Sequence, residues 1–340
     1  MFEDPLTMIN QRVLFLGSKS LGLRCLSEIY RSNPQVLVGV VTFDDREDVR
    51  TCFSEFHSFC VKNRIDLFIA SDRKHADELI AKLQPDLCLL IGWYWIVGEK
   101  TLLSVPKGCL GIHFSLLPKY RGWSPLVWAM LRGESETGVS LFTLTNEIDA
   151  GALWDQRCVP IHFNDDVASV LAVLEDAAVD MLKQKYPGIL DGSVVPWEQR
   201  SDDASYCARR LPADGLLDWN QSSWRVYDAI RSQTMPYPGA FTFLGDLKVT
   251  IWKARPKNLS FFGAVGQIVQ TKEDGICVIC GDQRPLVMEL VQFEGDSTPL
   301  SGKQAFGAMR ELPSISLGTM RFRTNSALPQ GSAAVEPKVQ

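Results

Sequence analysis

Long apolar runs are missing from this 340-residue chain; stretches such as residues 36–41 and 87–91 fall far short of the ~20 that a membrane-spanning helix needs. No basic start followed by an apolar block and a small-residue cleavage site stands near Met1, so no secretory signal is read. A disulfide framework is missing too: the nine cysteines are odd in number and scattered, as free thiols in a reducing compartment are. There is no basic excess. Thirty-five basic side chains face 40 acidic ones, for a formal net charge of −5, and the cluster Asp44-Asp45-Arg46-Glu47-Asp48 leans acidic. Phosphate neutralisation supplies most nucleic-acid affinity, so nucleic acid is a disfavoured partner. Internal repeats are absent. What is present is an ordinary globular composition, 46% hydrophobic and 22% charged, which excludes disorder throughout. At roughly 150 residues per domain the length fits about two domains. A cytoplasmic enzyme without a membrane partner is the expectation.

The first half alternates short apolar runs with amphipathic segments. Strands are read at 13–16, 36–42, 67–69 and 87–91, and helices follow the first from Leu21, then at about 49–61 and 76–83. Continuous apolar runs separated by helices signal a parallel sheet covered on both faces. This is a doubly wound α/β domain, which takes ligands off the carboxyl ends of its strands. Gly17-Ser18-Lys19-Ser20 lacks P-loop spacing, and Gly17 to Gly22 lacks the three-glycine dinucleotide fingerprint. Cys277 and Cys280 form a lone CxxC with no second pair, so no metal is expected.

After about Glu198 the character changes. Residues 199–213 are polar and read as a linker, 217–232 as one helix, and five short strands follow at 240–244, 248–254, 266–270, 276–280 and 287–293. Short strands with Gly-rich turns predict a small barrel. Residues 324–340, rich in Ser, Ala, Pro and Gly, read as a disordered tail.

The chemistry is densest between Gly108 and Gln156. A strand ends in His113, and a later strand, 138–144, leads to the loop carrying Asp149. A parallel sheet brings both to one edge, where a carboxylate fixes the tautomer of an imidazole for general-base work. The surrounding string is more specific than either residue. GCLGIHFSLLPKYRG at 108–122, WSP at 123–125, GESETGV at 133–139 and DAG at 149–151 closely resemble the folate-dependent formyltransferases. So do RRLPADG at 209–215 and PYPGAF at 236–241. The resemblance covers roughly residues 11 to 310.

This resemblance implies an N-terminal Rossmann-like formyltransferase domain over 1–200, a linker over 201–213, an OB-like C-terminal β-barrel over 214–312 and a tail over 313–340. It implies transfer of a formyl group from N10-formyltetrahydrofolate to a primary amine. The family's catalytic Asn, His and Asp fall on Gly111, His113 and Asp149, so the first position departs from the family. Folate binding is implied for Trp93, Tyr94, Trp95, Ile96 and Val97, for Ser115, Leu116 and Leu117, and for Asp149 and Gly151. Acceptor binding is implied for Lys119, Tyr120 and Arg121.

A directed amide N–H lowers the barrier as charge develops on the formyl oxygen, and removing one such donor costs about 10²- to 10³-fold. Water, a backbone N–H, protonated His113 or the Ser115 hydroxyl can stand in for it. The alternative is a folate- and sugar-nucleotide-binding homologue whose chemistry is impaired by Gly111. Hydrolysis of the formyl donor is a further enzymatic alternative. Among acceptors the family offers methionyl-tRNA, nucleotide-linked amino sugars, and amino acids or peptides. The tRNA enzymes carry a basic insertion after the second strand; here Phe43 to Thr51 is short and acidic in balance. A nucleotide-linked amino sugar is the expected acceptor, with a homodimer as a possible assembly.

Overall fold

Strands with no polar alternation must be covered on both faces, and every residue of β1 (Val13–Gly17) is buried. β1, β2 (Leu37–Phe43), β3 (Leu67–Ala70), β4 (Leu87–Ile91) and β5 (Cys109–His113) pair in parallel in the order β3-β2-β1-β4-β5. The helices α1 (Lys19–Ser32), α2 (Phe53–Asn63), α3 (Arg73–Leu83) and α4 (Glu99–Ser104) connect them. Strand order reverses between β1 and β4, so the loops after β1, β2, β4 and β5 open on one edge, where doubly wound sheets take ligands. The computed structural model describes residues 11–271 and 275–309; the expected tail, 313–340, and the end of the expected 214–312 barrel lie outside them.

The expectation of a parallel strand leading to Asp149 is corrected. β7 (Glu136–Thr143) runs antiparallel to β5, with His113 opposite Ser140 and Leu110 opposite Thr143, and β8 (Leu153–Pro160) runs antiparallel to β7. At ~3.3 Å per residue, β7 therefore ends about 10 Å down β5 from His113. Asp149 returns to His113 because the loop between β7 and β8 doubles back, not because two strands end together.

Two helices start later than periodicity predicts. α2 begins at Phe53, because Asp45 and Asp48 first turn the chain by accepting the backbone N–H groups of Asp48 and Thr51. The helix expected at 217–232 is confined to α7 (Ser223–Arg231), after α5 (Pro125–Leu131) and α6 (Val167–Leu190). Ser222 caps it by accepting from the Arg225 N–H. Asp218 folds the preceding residues into a turn through Asn220 and Gln221, and buried Trp219 donates to Thr242 Oγ1 at 3.0 Å.

The chain forms two units. One holds most residues up to Arg209, and the other takes Arg210 onward with two short segments, Met130–Gly133 and Asp165–Ala168. The second unit is a six-stranded antiparallel sheet, in keeping with a small, partly open barrel. Its order is β10 (Ala240–Leu244), β11 (Leu247–Pro256), β14 (Pro285–Phe293), β13 (Gly275–Ile279) and β12 (Ile268–Thr271), with β15 (Leu300–Ser301) on β14. Its core gathers Trp219, Val249, Ile251, Val291 and, from α8 (Gly302–Met309), Phe306. Cys277 and Cys280 are both buried in this unit. The stretch read as a linker is not free chain: it carries β9 (Tyr206–Cys207), which pairs in parallel with β6 (Arg121–Gly122) in the first unit. Among the described residues no helix is long and apolar enough to cross a membrane.

Candidate active site

Residues two apart on a strand share a face, so Gly111 and His113 point the same way from β5. His113 is 8% exposed. Its Nε2 lies 2.8 Å from the Tyr120 carbonyl; a carbonyl can only accept, so this nitrogen carries the proton and donates. The other nitrogen, Nδ1, stands 3.5 Å from Asp149 Oδ2. Both backbones that aim these groups are unusual: Tyr120 and Asp149 have φ of 59° and 50°, a left-handed conformation uncommon for side-chain-bearing residues, though aspartate tolerates it better than tyrosine.

Hydrogen bonds brace Asp149. Its Oδ2 accepts the Gly122 N–H at 2.7 Å. Gln199 Nε2 donates to two carbonyls of the same loop, Asp149 at 2.8 Å and Gly151 at 2.7 Å. Gln199 Oε1 in turn accepts from Arg121 Nε at 3.1 Å and Nη2 at 2.7 Å, and Arg121 Nη1 donates to the Tyr206 hydroxyl at 3.1 Å. Gly151 is buried, and a Cβ there would run into the Thr143 carbonyl, so the loop closes only over glycine. The nearby Cys207 thiol is pushed up to about 11 by burial, with the Asp149 charge adding to the effect. That keeps it protonated and unreactive near neutral pH.

Gly111 has no conformational need for glycine, since its φ lies outside the left-handed range. A Cβ there would meet Leu144 Cδ2 and Phe142 Cε1, each at 3.3 Å. Leu144 and Phe142, with Leu117 and Leu153, form a small apolar cluster. The space beside Gly111 on the His113 face is thus bordered by hydrocarbon. Of the donors that could replace an amide there, the Ser115 hydroxyl is committed: Ser115 is 1% exposed and donates to the Lys119 carbonyl at 2.6 Å. His113 remains as a side chain aimed at this face.

The aromatic loop after β4 divides in two. Trp93, Trp95 and Val97 pack against the core cluster of β1 and β4, whereas Tyr94 and Ile96 are 47% and 65% exposed. Phe43 at the end of β2 meets Trp93, Tyr94 and Trp95, with ring centroids 5.4, 5.9 and 5.0 Å away. Leu117 is buried and Leu116 half-buried beside β7. Of the residues expected on the acceptor side, Lys119 is exposed and Tyr120 donates its hydroxyl to Glu134 at 2.5 Å. Arg121 is 2% exposed and turned inward to Gln199.

Lys19, the first residue of α1, binds Asp45 and Asp48 at 2.5 and 2.8 Å. Burial alone would lower its pKa, but the hydrogen bonds to both carboxylates outweigh it and the net direction is up. Asp48 is held well below the usual carboxylate range, chiefly by hydrogen bonding to Arg50 and further by Lys19. The acidic loop is therefore folded on its own cations. The surface grooves around Tyr30 and Arg64, and around Leu23 and Lys62, share no residue with this edge.

The resemblance to the formyltransferases marks His113, Asp149 and Gly111, but not Gln199 or Tyr206. Both lie in an aperiodic polar stretch, and no pattern in the sequence points from Gln199 to the Asp149 loop 50 residues earlier or from Tyr206 to Arg121, 85 residues earlier.

Comparison with known proteins bears on the family and the fold. The formyl transferase family model matches residues 13–185, and the model of the formyl transferase C-terminal domain matches 211–307. Among solved structures, WlaRD, a sugar 3N-formyl transferase studied with dTDP and 5-N-formyl-THF, superposes with a TM-score of 0.63 at 18% identity, over 84% of this chain and 98% of its own. An N-formyltransferase from Helicobacter canadensis, in complex with folinic acid and dTDP-3-aminofucose, gives 0.63 at 19%, over 82% and 98%. HypX from Aquifex aeolicus, in complex with tetrahydrofolic acid, gives 0.61 at 19%, over 88% of this chain but 47% of HypX. At these identities the likeness is one of fold. The two family models, which together take in most of the sequence, show that the chain belongs to the formyl transferase family.

Proposed function

We propose that this protein moves a formyl group from N10-formyltetrahydrofolate to the primary amine of a small acceptor, a nucleotide-linked amino sugar. The observation that carries the chemical part is the pairing of His113 Nδ1 with Asp149 at 3.5 Å on the ligand-taking edge of a formyl transferase fold. In the reaction the amine nitrogen bonds to the formyl carbon, the bond from that carbon to N10 breaks, and one proton passes from the amine to N10. His113, with Nε2 already donating to Tyr120, has Nδ1 as the position that takes and returns that proton, and Asp149 stabilises the ring while it is charged. Exposed Tyr94 and Ile96 are the members of their loop free to meet a pterin; Trp93, Trp95 and Val97 support them from the core. Lys119, exposed, is the cation assigned to the acceptor.

The small acceptor is supported by the loop after β2, whose Asp44, Asp45 and Asp48 carboxylates are already bound to Arg46, Lys19 and Arg50, and by the dTDP and the dTDP-3-aminofucose named for two proteins of the same fold. A second reading, a binding homologue with impaired chemistry, is favoured by one observation, the apolar border at Gly111. A mass-spectrometric screen separates the readings. The protein is incubated with N10-formyltetrahydrofolate and, in parallel, nucleotide-linked amino sugars, amino acids and methionyl-tRNA. A formamide on a sugar nucleotide is the expected product. Formate released without any amine would point to hydrolysis, and folate binding without turnover to the impaired homologue.

A further inference from the structure

We infer that Gln199 and Arg121 are positioning residues that hold the Asp149 carboxylate against His113; the inference rests on the formyl-transfer reading. Gln199 lies between the two stretches that the family models match, 13–185 and 211–307. Its amide spans a gap in sequence of about 50 residues to bind two carbonyls of one loop, those of Asp149 and Gly151. A side-chain amide has two N–H donors and one oxygen, and here each end is used: the donors fix the loop and the oxygen receives the Arg121 guanidinium. Arg121 is buried, and the hydroxyl of Tyr206 takes its third contact. A buried guanidinium with a rigid planar fork fixes its acceptor more tightly than an ammonium would. Asp149 sits at φ 50°, a left-handed conformation that aspartate tolerates but that is uncommon, and the two bonds from Gln199 add to what holds it there. Released from Gln199, the loop relaxes and the carboxylate leaves Nδ1. A displacement of about 1 Å in a catalytic constellation costs on the order of 10²-fold in rate.

Gln199→Glu is the informative change. It keeps the length of the side chain and an acceptor for Arg121, but it replaces the nitrogen that carries both donors with a carboxylate oxygen that opposes the two carbonyls. The expected result is a fall in kcat of about 10- to 100-fold with the KM for N10-formyltetrahydrofolate changed less than threefold. The conservative Arg121→Lys is expected to fall in the same direction by less. A second readout does not depend on turnover. In ¹⁵N-histidine-labelled protein the chain has four histidines, and His113 is assigned by its loss in His113→Gln. The His113 Nδ1 resonance should move in Gln199→Glu in the same direction as in Asp149→Asn. If Gln199→Glu does not fold, Gln199→Met carries the same expectation. A wild-type protein that transfers no formyl group would remove the functional reading and leave the resonance to decide the strut. An unmoved His113 resonance in a folded Gln199 variant, or an unchanged kcat, would overturn the inference.

Discussion

Replacing Gly111 by Asn tests the missing donor and its surroundings at once. The backbone at Gly111 accepts any L-residue, so the cost is one of packing. The new Cβ would stand 3.3 Å from both Leu144 Cδ2 and Phe142 Cε1, and the amide beyond it needs room that these side chains hold. Overpacking of this kind costs about 1–3 kcal/mol. At about 2–4 °C per kcal/mol for a domain of this size, the first unit should melt about 2–12 °C lower. Leu144 is half-buried, so Leu144→Ala alone should cost about 1–2 kcal/mol, less than the deletion of a fully buried leucine. In the double variant the space freed by Leu144 admits the amide, and the two losses should overlap by about 1–2 kcal/mol, within the range of coupling between residues in contact. The rate should follow. Gly111→Asn alone should gain little, whereas the double variant should gain up to the 10²–10³-fold attached to one oxyanion donor. The assay is a complete cycle of four proteins, each measured for melting temperature and for formamide formation with one acceptor. Losses that simply add, within about 0.3–0.5 kcal/mol, together with an unchanged rate in the double variant, would refute the reasoning.

His113→Ala should lower formyl transfer by about 10²- to 10⁴-fold, the usual worth of a positioned acid–base group, and Asp149→Asn by somewhat less; steady-state kinetics check both, with the fold verified by circular dichroism. Gly151→Ala should destabilise the first unit by about 3 kcal/mol, the upper part of the overpacking range, because its Cβ meets the Thr143 backbone, which cannot give way; thermal unfolding reads this. Asp48 has a depressed folded-state pKa, so its contribution is present above the unfolded value of about 3.9 and is lost as pH falls through the folded one. The melting difference between wild type and Asp48→Asn should therefore be full at pH 7 and shrink below about pH 4; a difference independent of pH would contradict this.

Much of the first unit is legible in the sequence because its signals are local. The runs at 13–16 and 87–91 leave no polar face, and such strands have only one place to go, the middle of a covered sheet. His113 at a strand end and Asp149 in a later loop are legible from the family string around them. Their route to each other is not: a strand carries no mark of the direction in which it pairs, and β7 pairs antiparallel. Helix ends fail for a related reason. Trp219 continues the apolar spacing of α7, yet it belongs to a turn fixed by Asp218, because an Asp side chain can satisfy backbone N–H groups before the helix begins. Gln199 and Arg121 are legible least. Arg121 reads as a solvated or ligand-facing charge, and only the fold shows it 2% exposed against an amide 78 residues away in sequence.

The central claim is that formyl transfer runs through His113 and Asp149. Single-turnover transfer of a ¹³C-labelled formyl group, from N10-formyltetrahydrofolate to a nucleotide-linked amino sugar, tests it most directly when wild type and His113→Ala are compared at matched folate occupancy. The label should appear in a sugar formamide with wild type and fall by at least about 10²-fold with His113→Ala while folate binding is retained. Equal transfer by the two proteins, at equal occupancy, would contradict the claim.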